Sequence, residues 1–429
     1  MKGLARRDFL RMGAAAGLAA GLGSLNSRAE SARPLRLGFI GVGGRGTGML
    51  LTSLEIEGLA VTAVCDLEAT RVTRAAGLVE KSQGNSPVRF AAGPTDYRNL
   101  LKRADVDAVF IATPPQFHAP IAVDALRAGK HTLSEVPAAM TLEECWALVK
   151  AGEESGRLYM LAENCCYYPT NLAVLNMVHQ GSFGQLTYGD CGYVHDCRTL
   201  LFNPDGSMTW RGELTRAIGN WYPTHAIGPV AQWLGINRGD RFVSLVAMES
   251  PAWGIASYAE KQLGPNSPGA RTKFGGDACL ALLRTAEGRV IELRFDVTSP
   301  RPAPSTTFAS LQGTRASYKD SEAEQRIWID GRSPGHAWEK FAKYQSEFEH
   351  DLWKQWGSQA LKTQHGGADF FVFHQFAEAI RAGGPSPIDV YDAATWSVIF
   401  PVTTQSVLGG GKPQEMPDFT RGKWQRRAT

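Results

Sequence analysis

Three glycines spaced as Gly41-x-Gly43-x-x-Gly46 stand between an apolar run, Leu35 to Ile40, and a helix-forming stretch, Thr47 to Ile56. This spacing suits the wrapping of main chain around a pyrophosphate. The first glycine permits a tight turn, the second lets phosphate reach backbone, and the third lets helix and strand pack, while the helix N-terminus offers free N–H groups and the positive end of its dipole. Asp66 follows Gly46 by 20 residues, at the end of the next apolar run, Ala60 to Cys65. A carboxylate there accepts both ribose hydroxyls and repels a 2′-phosphate, so the pattern predicts NAD rather than NADP. The glycine triplet alone is a weak signal; the flanking strand, the helix and the distant aspartate together make it specific.

The elements that must position this turn follow an alternating rhythm. Apolar strands are expected at 88–90, 108–112, 131–134 and 158–162, with helices at 70–80, 97–102, 119–128 and 142–154 between them. Such alternation predicts a doubly wound parallel sheet of Rossmann type. Ligands of open α/β sheets lie at the carboxyl ends of strands, which singles out Thr113 to His118 and Glu135-Val136-Pro137 as loops flanking a nicotinamide. Beyond Asn164 the β-prone runs lengthen: 186–193, 242–248, 279–284, 290–297 and 306–312. They predict an α+β domain with a mainly antiparallel open sheet, helices on one face. The stretch 319–367 reads as a long loop with short helices, followed by helices at 370–382 and 390–408. The expected divisions are a leader over 1–32, a dinucleotide-binding domain over 34–162 and a substrate-binding domain over 163–429.

Composition narrows the function classes. Forty-five Lys and Arg against 42 Asp and Glu leave a formal charge of +3, too even a balance for a nucleic-acid-binding face. Arg6-Arg7-Asp8-Phe9-Leu10 followed by a small-residue apolar stretch from Met12 to Leu25 has the order of a twin-arginine export signal. It predicts a periplasmic protein, exported already folded by the twin-arginine machinery; no later run is long and apolar enough for a membrane span. Seven cysteines cannot all pair internally. Cys191, His195 and Cys197 lack a fourth ligand and zinc-site spacing, so no metal is expected.

Gly41 to Gly46, Asp66, Ala112-Thr113-Pro114 through His118, Ala128-Gly129-Lys130-His131 and Glu135-Val136-Pro137 resemble the glucose-fructose oxidoreductase and inositol dehydrogenase family. Dehydrogenases of that family carry Glu-Lys-Pro, with the lysine moving a proton beside the substrate hydroxyl; this chain has Val136, which cannot. The remaining motifs are similar to glycoside hydrolase family 109, NAD-dependent glycosidases typified by α-N-acetylgalactosaminidase. They include Glu163-Asn164-Cys165-Cys166-Tyr167, Gly192-Tyr193-Val194-His195-Asp196, Gly219-Asn220-Trp221-Tyr222-Pro223-Thr224-His225 and His365-Gly366-Gly367, within a likeness spanning about 35–410. The resemblance implies NAD contacts at Gly44, Arg45, Asp66, Pro115, Gln116, Phe117, His118, Glu135, Val136, Asn164 and Tyr222. It implies sugar contacts at Tyr193, Arg211, Tyr222, Pro223, Thr224 and His225, and a homo-oligomer formed through exposed faces of the second sheet. Two positions depart from the family: Ala303 replaces a sugar-contacting tyrosine, and Tyr168 replaces an arginine.

A glycosidase ordinarily needs two carboxylates flanking the bond, and no such pair stands out here. The NAD-dependent route explains that combination: oxidation at sugar carbon 3 acidifies the carbon 2 proton, the carbon 1 substituent is eliminated, water adds, and the hydride returns. His225 is the expected acid/base for the carbon 3 hydroxyl, since imidazole titrates nearest neutrality. Tyr167 is the candidate for proton transfer at carbon 2 and Glu135 for orienting the nicotinamide. His131 and His179 read as structural, and His365 as bordering the pocket. The alternatives are a sugar or cyclitol dehydrogenase, which would accumulate NADH, and a non-catalytic sugar-binding protein.

Overall fold

The computed structural model describes residues 33–302, 307–320 and 324–427. The leader and Ala303 lie outside them. Six strands, β1 (Leu35–Ile40), β2 (Leu59–Cys65), β3 (Val88–Phe90), β4 (Ala108–Ile111), β5 (His131–Ser134) and β6 (Tyr159–Leu161), form a parallel sheet in the order β3-β2-β1-β4-β5-β6. Every pairing in it is parallel. The order reverses between β1 and β4, and at such a switch point the strand ends open a crevice for a dinucleotide. All four residues of β4 are buried, as a strand covered on both faces requires.

One cover comes from far along the chain. Helix Ala368–Ala382 presses Phe373 against Phe39 of β1 and Phe110 of β4, with ring centroids 6.0 and 5.3 Å away. Leu161 in β6 donates its N–H to the carbonyl of Ile388. The division at 162 therefore marks the end of the first sheet, while segment 368–397 returns to complete its core.

The second sheet has nine strands. They are β7 (Leu186–Val194), β8 (Phe242–Glu249), β9 (Ala278–Thr285), β10 (Val290–Asp296), β11 (Thr307–Gly313), β12 (Ala316–Lys319), β13 (Arg326–Ile329), β14 (Glu339–Lys340) and β15 (Gln414–Glu415). Their order is β14-β13-β12-β11-β7-β10-β9-β8-β15. Only β7 and β10 pair in parallel. Helix Thr224–Trp233 covers the middle of one face, where Cys191, Leu293 and Ala309 are buried. On the other face Met248, Leu280, Leu282 and Val290 are exposed.

Two expectations are corrected. The stretch 319–367 carries the short helices Ala342–Gln345 and Asp351–Ala360, but strands β13 and β14 stand where loop was expected. Its strands run only two to four residues, too short for alternation to register. The helix expected over 390–408 is two, Val390–Ser397 and Ile399–Leu408. Pro401 has no N–H to give the Ser397 carbonyl, so the ladder breaks there.

Candidate active site

The glycine turn has the tight packing its sequence implied. Gly41 has φ +90°, and a Cβ there would lie 2.6 Å from the Ala112 carbonyl oxygen; a Cβ on Gly46 would lie 2.0 Å from the carbonyl oxygen of Gly41. At Gly44 a Cβ would meet nothing within 4 Å, which is the open side of the turn. Helix Gly44–Leu54 starts three residues earlier than its apolar pattern suggested, so its free N–H groups face the turn directly. Asp66 accepts from Val42 N at 2.8 Å and from Glu68 N at 3.0 Å, which fixes its carboxylate at the end of β2.

A cleft of about 690 Å3 runs along this edge, bounded by Gly41, Gly43, Gly44, Arg45 and Asp66 at one end and by Glu135, Val136, Arg211 and Tyr222 at the other. Pro115, Phe117 and His118 also line it, whereas Gln116 points outward and is exposed. His118 is buried between the carbonyls of Pro137 and Thr113, at 2.8 and 2.7 Å, and braces the two loops that carry the cleft wall. Burial pushes its imidazole below the ordinary value. The volume, the open glycine turn and the fixed carboxylate fit a dinucleotide.

Arg45 ties the cofactor turn to the second domain. Its Nε donates to Glu135 at 2.7 Å, and its two terminal nitrogens donate to Asp369 at 2.6 and 2.9 Å. Burial works against the guanidinium charge, but Glu135 and Asp369 more than offset it and hold the group above its ordinary value. Asp369 also pairs with His365 at 2.8 Å and receives Asn164 Nδ2 at 2.9 Å. Asn164, expected against NAD, thus lies one carboxylate behind Arg45 and does not line the cleft. Burial alone would raise the Asp369 carboxyl; hydrogen bonds from His365 and Arg45 outweigh it and bring the group down to about 2. A depressed carboxyl stabilises the fold above its unfolded value, near 4, and loses that contribution as pH falls through its folded value. Asp369→Asn is therefore expected to unfold more readily than wild type at neutral pH, with the gap closing between about pH 4 and pH 2 in denaturant titrations.

At the other end an aromatic cluster surrounds His225. Tyr193, Tyr222 and His225 have ring centroids 5.1 to 5.4 Å apart. The Arg211 guanidinium lies 4.6 Å from the Trp210 ring centroid and 5.7 Å from that of Tyr222. Burial raises the phenols of Tyr193 and Tyr222 above their ordinary values, so both remain hydrogen-bond donors. Pro223 and Thr224 are buried at the start of helix Thr224–Trp233, where they set the exit angle of His225. His225 Nδ1 lies 2.7 Å from Glu163 Oε1, and Glu163 is fully buried. A carboxylate only accepts, so Nδ1 carries the proton and Nε2 is left for a ligand.

Tyr167 does not belong to this group. Its ring stacks on Phe371 at 6.3 Å, its carbonyl accepts from the Trp353 indole, and its hydroxyl has no partner among the described residues. Burial pushes the phenol well above its ordinary value, and Tyr167 does not line the dinucleotide cleft. His131, read as structural, accepts from Leu158 N at 3.0 Å. Glu163 and Asp369 were missed by sequence reasoning. Glu163 had a signal: it follows β6 much as Glu135 follows β5, at the sheet's ligand-bearing edge. Asp369 had a weaker one, four residues after His365.

Among the described residues Glu163, Cys165 and His225 bring potential ligand atoms within 4.8 Å of one another. Burial, reinforced by Glu163, pushes the Cys165 thiol well up, and Glu163 Oε1 already serves His225 and Cys165 N. All seven cysteines are free and buried.

A Rossmann sheet with its cleft closed by an aromatic and histidine cluster on an open sheet defines a two-domain NAD-dependent enzyme of the oxidoreductase type. Residues 35–163 match the family model described as "Oxidoreductase family, NAD-binding Rossmann fold", and 167–426 match "Glycosyl hydrolase 109, C-terminal domain". The chain belongs to glycosyl hydrolase family 109. A family 109 protein of Solibacter usitatus is 40% identical, covering 98% of each chain; one of Saccharopolyspora erythraea is 39% identical, covering 98% of this chain and 95% of its own. Among solved structures, levoglucosan dehydrogenase in complex with NADH shares the fold at a TM-score of 0.72 and 20% identity, over 90% of this chain and all of its own.

Proposed function

We propose that the protein is a retaining glycosidase that hydrolyses N-acetylhexosaminides, in the manner of an α-N-acetylgalactosaminidase, by transient oxidation at carbon 3. The observation that carries this reading is the Glu163–His225 pair at 2.7 Å, next to Tyr222, which lines the dinucleotide cleft. Family membership supports the glycosidase class. When bound, NAD supplies the acceptor for the carbon 3 hydride and returns it at the end of the cycle. His225 Nε2 takes the proton of the carbon 3 hydroxyl, and buried Glu163 stabilises the imidazolium that forms. Tyr193, Tyr222 and Arg211 hold the sugar ring by donating hydrogen bonds, and His225 Nε2, once it has passed the first proton to solvent, takes the carbon 2 proton as well. Val136 fills the wall position where dehydrogenases carry a proton-transferring lysine, so net alcohol oxidation lacks its usual group.

The reading extends to location, on the strength of Arg6-Arg7-Asp8-Phe9-Leu10: export by the twin-arginine route to the periplasm. Incubation of purified, NAD-loaded protein with aryl N-acetylhexosaminides of both anomers tests the activity. Many turnovers of phenol release are expected with no build-up of NADH. One equivalent of NADH formed per sugar consumed would instead establish a dehydrogenase.

A further inference from the structure

A second cavity adjoins His225. It measures about 270 Å3 and is walled by Tyr168, Thr307, Phe308, Asp320 and Gln325 together with His225 itself. Asp320 follows β12, and its backbone N–H donates to Ser310 Oγ at 3.3 Å. Among the described residues of the wall it is the one carboxyl, and the Ala309 backbone and the Gln325 side chain hydrogen-bond to it; Tyr168 and His225 are the other titratable groups there, with Tyr318 behind on the same strand. A glycosidase must protonate a departing oxygen, and nothing in the Glu163–His225 pair provides a second acid.

We propose that Asp320 is the acid for the leaving group, and that this cavity receives the group attached to carbon 1. This rests on the glycosidase reading above. The Asp320 carboxyl gives its proton to the glycosidic oxygen as the bond from carbon 1 to oxygen breaks. That bond's electron pair stays on oxygen; the carbon 2 proton goes to His225 Nε2, which has by then released the carbon 3 hydroxyl proton to solvent, and the pair it leaves behind becomes the double bond between carbons 1 and 2. An alcohol leaves and Asp320 is a carboxylate. When water adds back, Asp320 takes one of its protons as the hydroxyl joins carbon 1, and carbon 2 recovers a proton, so the acid is reset. Burial pushes the Asp320 carboxyl up to about 6, a value that keeps it protonated in mildly acidic solution and makes it a competent donor near neutrality.

The test is a series of glycosides of one sugar with leaving groups from dinitrophenol to methanol, applied to NAD-loaded wild type, Asp320→Asn and Asp320→Glu. Asp320→Asn is expected to lose about 10²-fold or more in kcat on the methyl glycoside and less than about 3-fold on the dinitrophenyl glycoside. It should also lose the fall in rate above about pH 6 and keep both bound NAD and exchange of the carbon 2 proton with solvent. Asp320→Glu should recover part of the rate on the methyl glycoside. An equal loss across all leaving groups, with exchange retained, would overturn the assignment of Asp320 alone. Absence of exchange and turnover in wild type would instead remove the glycosidase reading beneath it.

Discussion

His225→Ala is expected to lower kcat for glycoside hydrolysis by about 10³-fold or more while the purified variant keeps its full complement of NAD. General acid/base catalysis by a positioned side chain is worth about 10² to 10⁴, and here one imidazole must serve both the outward and the return hydride steps. Glu163→Gln is the sharper version. The fully buried carboxylate 2.7 Å from Nδ1 fixes the tautomer and balances the imidazolium; an amide cannot hold a charge and can present N–H instead. A loss of about 10²-fold is expected, recovered in part by Glu163→Asp, because the imidazolium has lost its counter-charge. Steady-state kinetics beside a measurement of bound NAD checks both. Loss of the cofactor in step with activity would show that the pair serves the fold and not the chemistry.

Gly46→Val is expected to abolish NAD binding outright, with an increase in Kd of at least about 10²-fold. The Cβ would lie 2.0 Å from the Gly41 carbonyl oxygen, and Gly41 itself is packed so closely that a Cβ on it would lie 2.6 to 2.9 Å from the backbone of Ala112 and Thr113. Backbone on both sides means that the turn, rather than a side-chain tip, must move, and the free N–H groups at the helix start move with it. Titration of NAD followed by protein fluorescence reads the effect, with circular dichroism to show that the sheet persists. An unchanged Kd would mean that the phosphates are held elsewhere.

The first domain was legible because its signals are local. A strand, a glycine turn, a helix and an aspartate at a fixed distance follow from residue types within a span of about 30 positions. The second sheet was legible in class and incomplete in extent: β12 to β14 are too short to show alternation, and β7 finds its parallel partner β10 just over a hundred residues away, Tyr188 opposite Val290. Side-chain partnerships across the domains were hidden for the same reason. Arg45 and Asp369 are 324 positions apart, and Glu163 and His225 are 62 apart; only folding brings such groups within reach. Tyr167 shows the opposite failure. Its neighbour Tyr168 lines the cavity beside His225, whereas its own ring stacks on Phe371 and its backbone carbonyl accepts from the Trp353 indole.

The central claim is that hydrolysis passes through a carbon 3 ketone, and carbon 2 of the product records it. Turnover of a suitable aryl glycoside in deuterium oxide, with the released sugar read by proton NMR, should show deuterium at carbon 2, the starting configuration at carbon 1 in the first-formed product, and hydrogen retained at carbon 3. A sugar released with its original hydrogen at carbon 2 would mean that the bond was broken by direct displacement, and that the dinucleotide takes no part in breaking it.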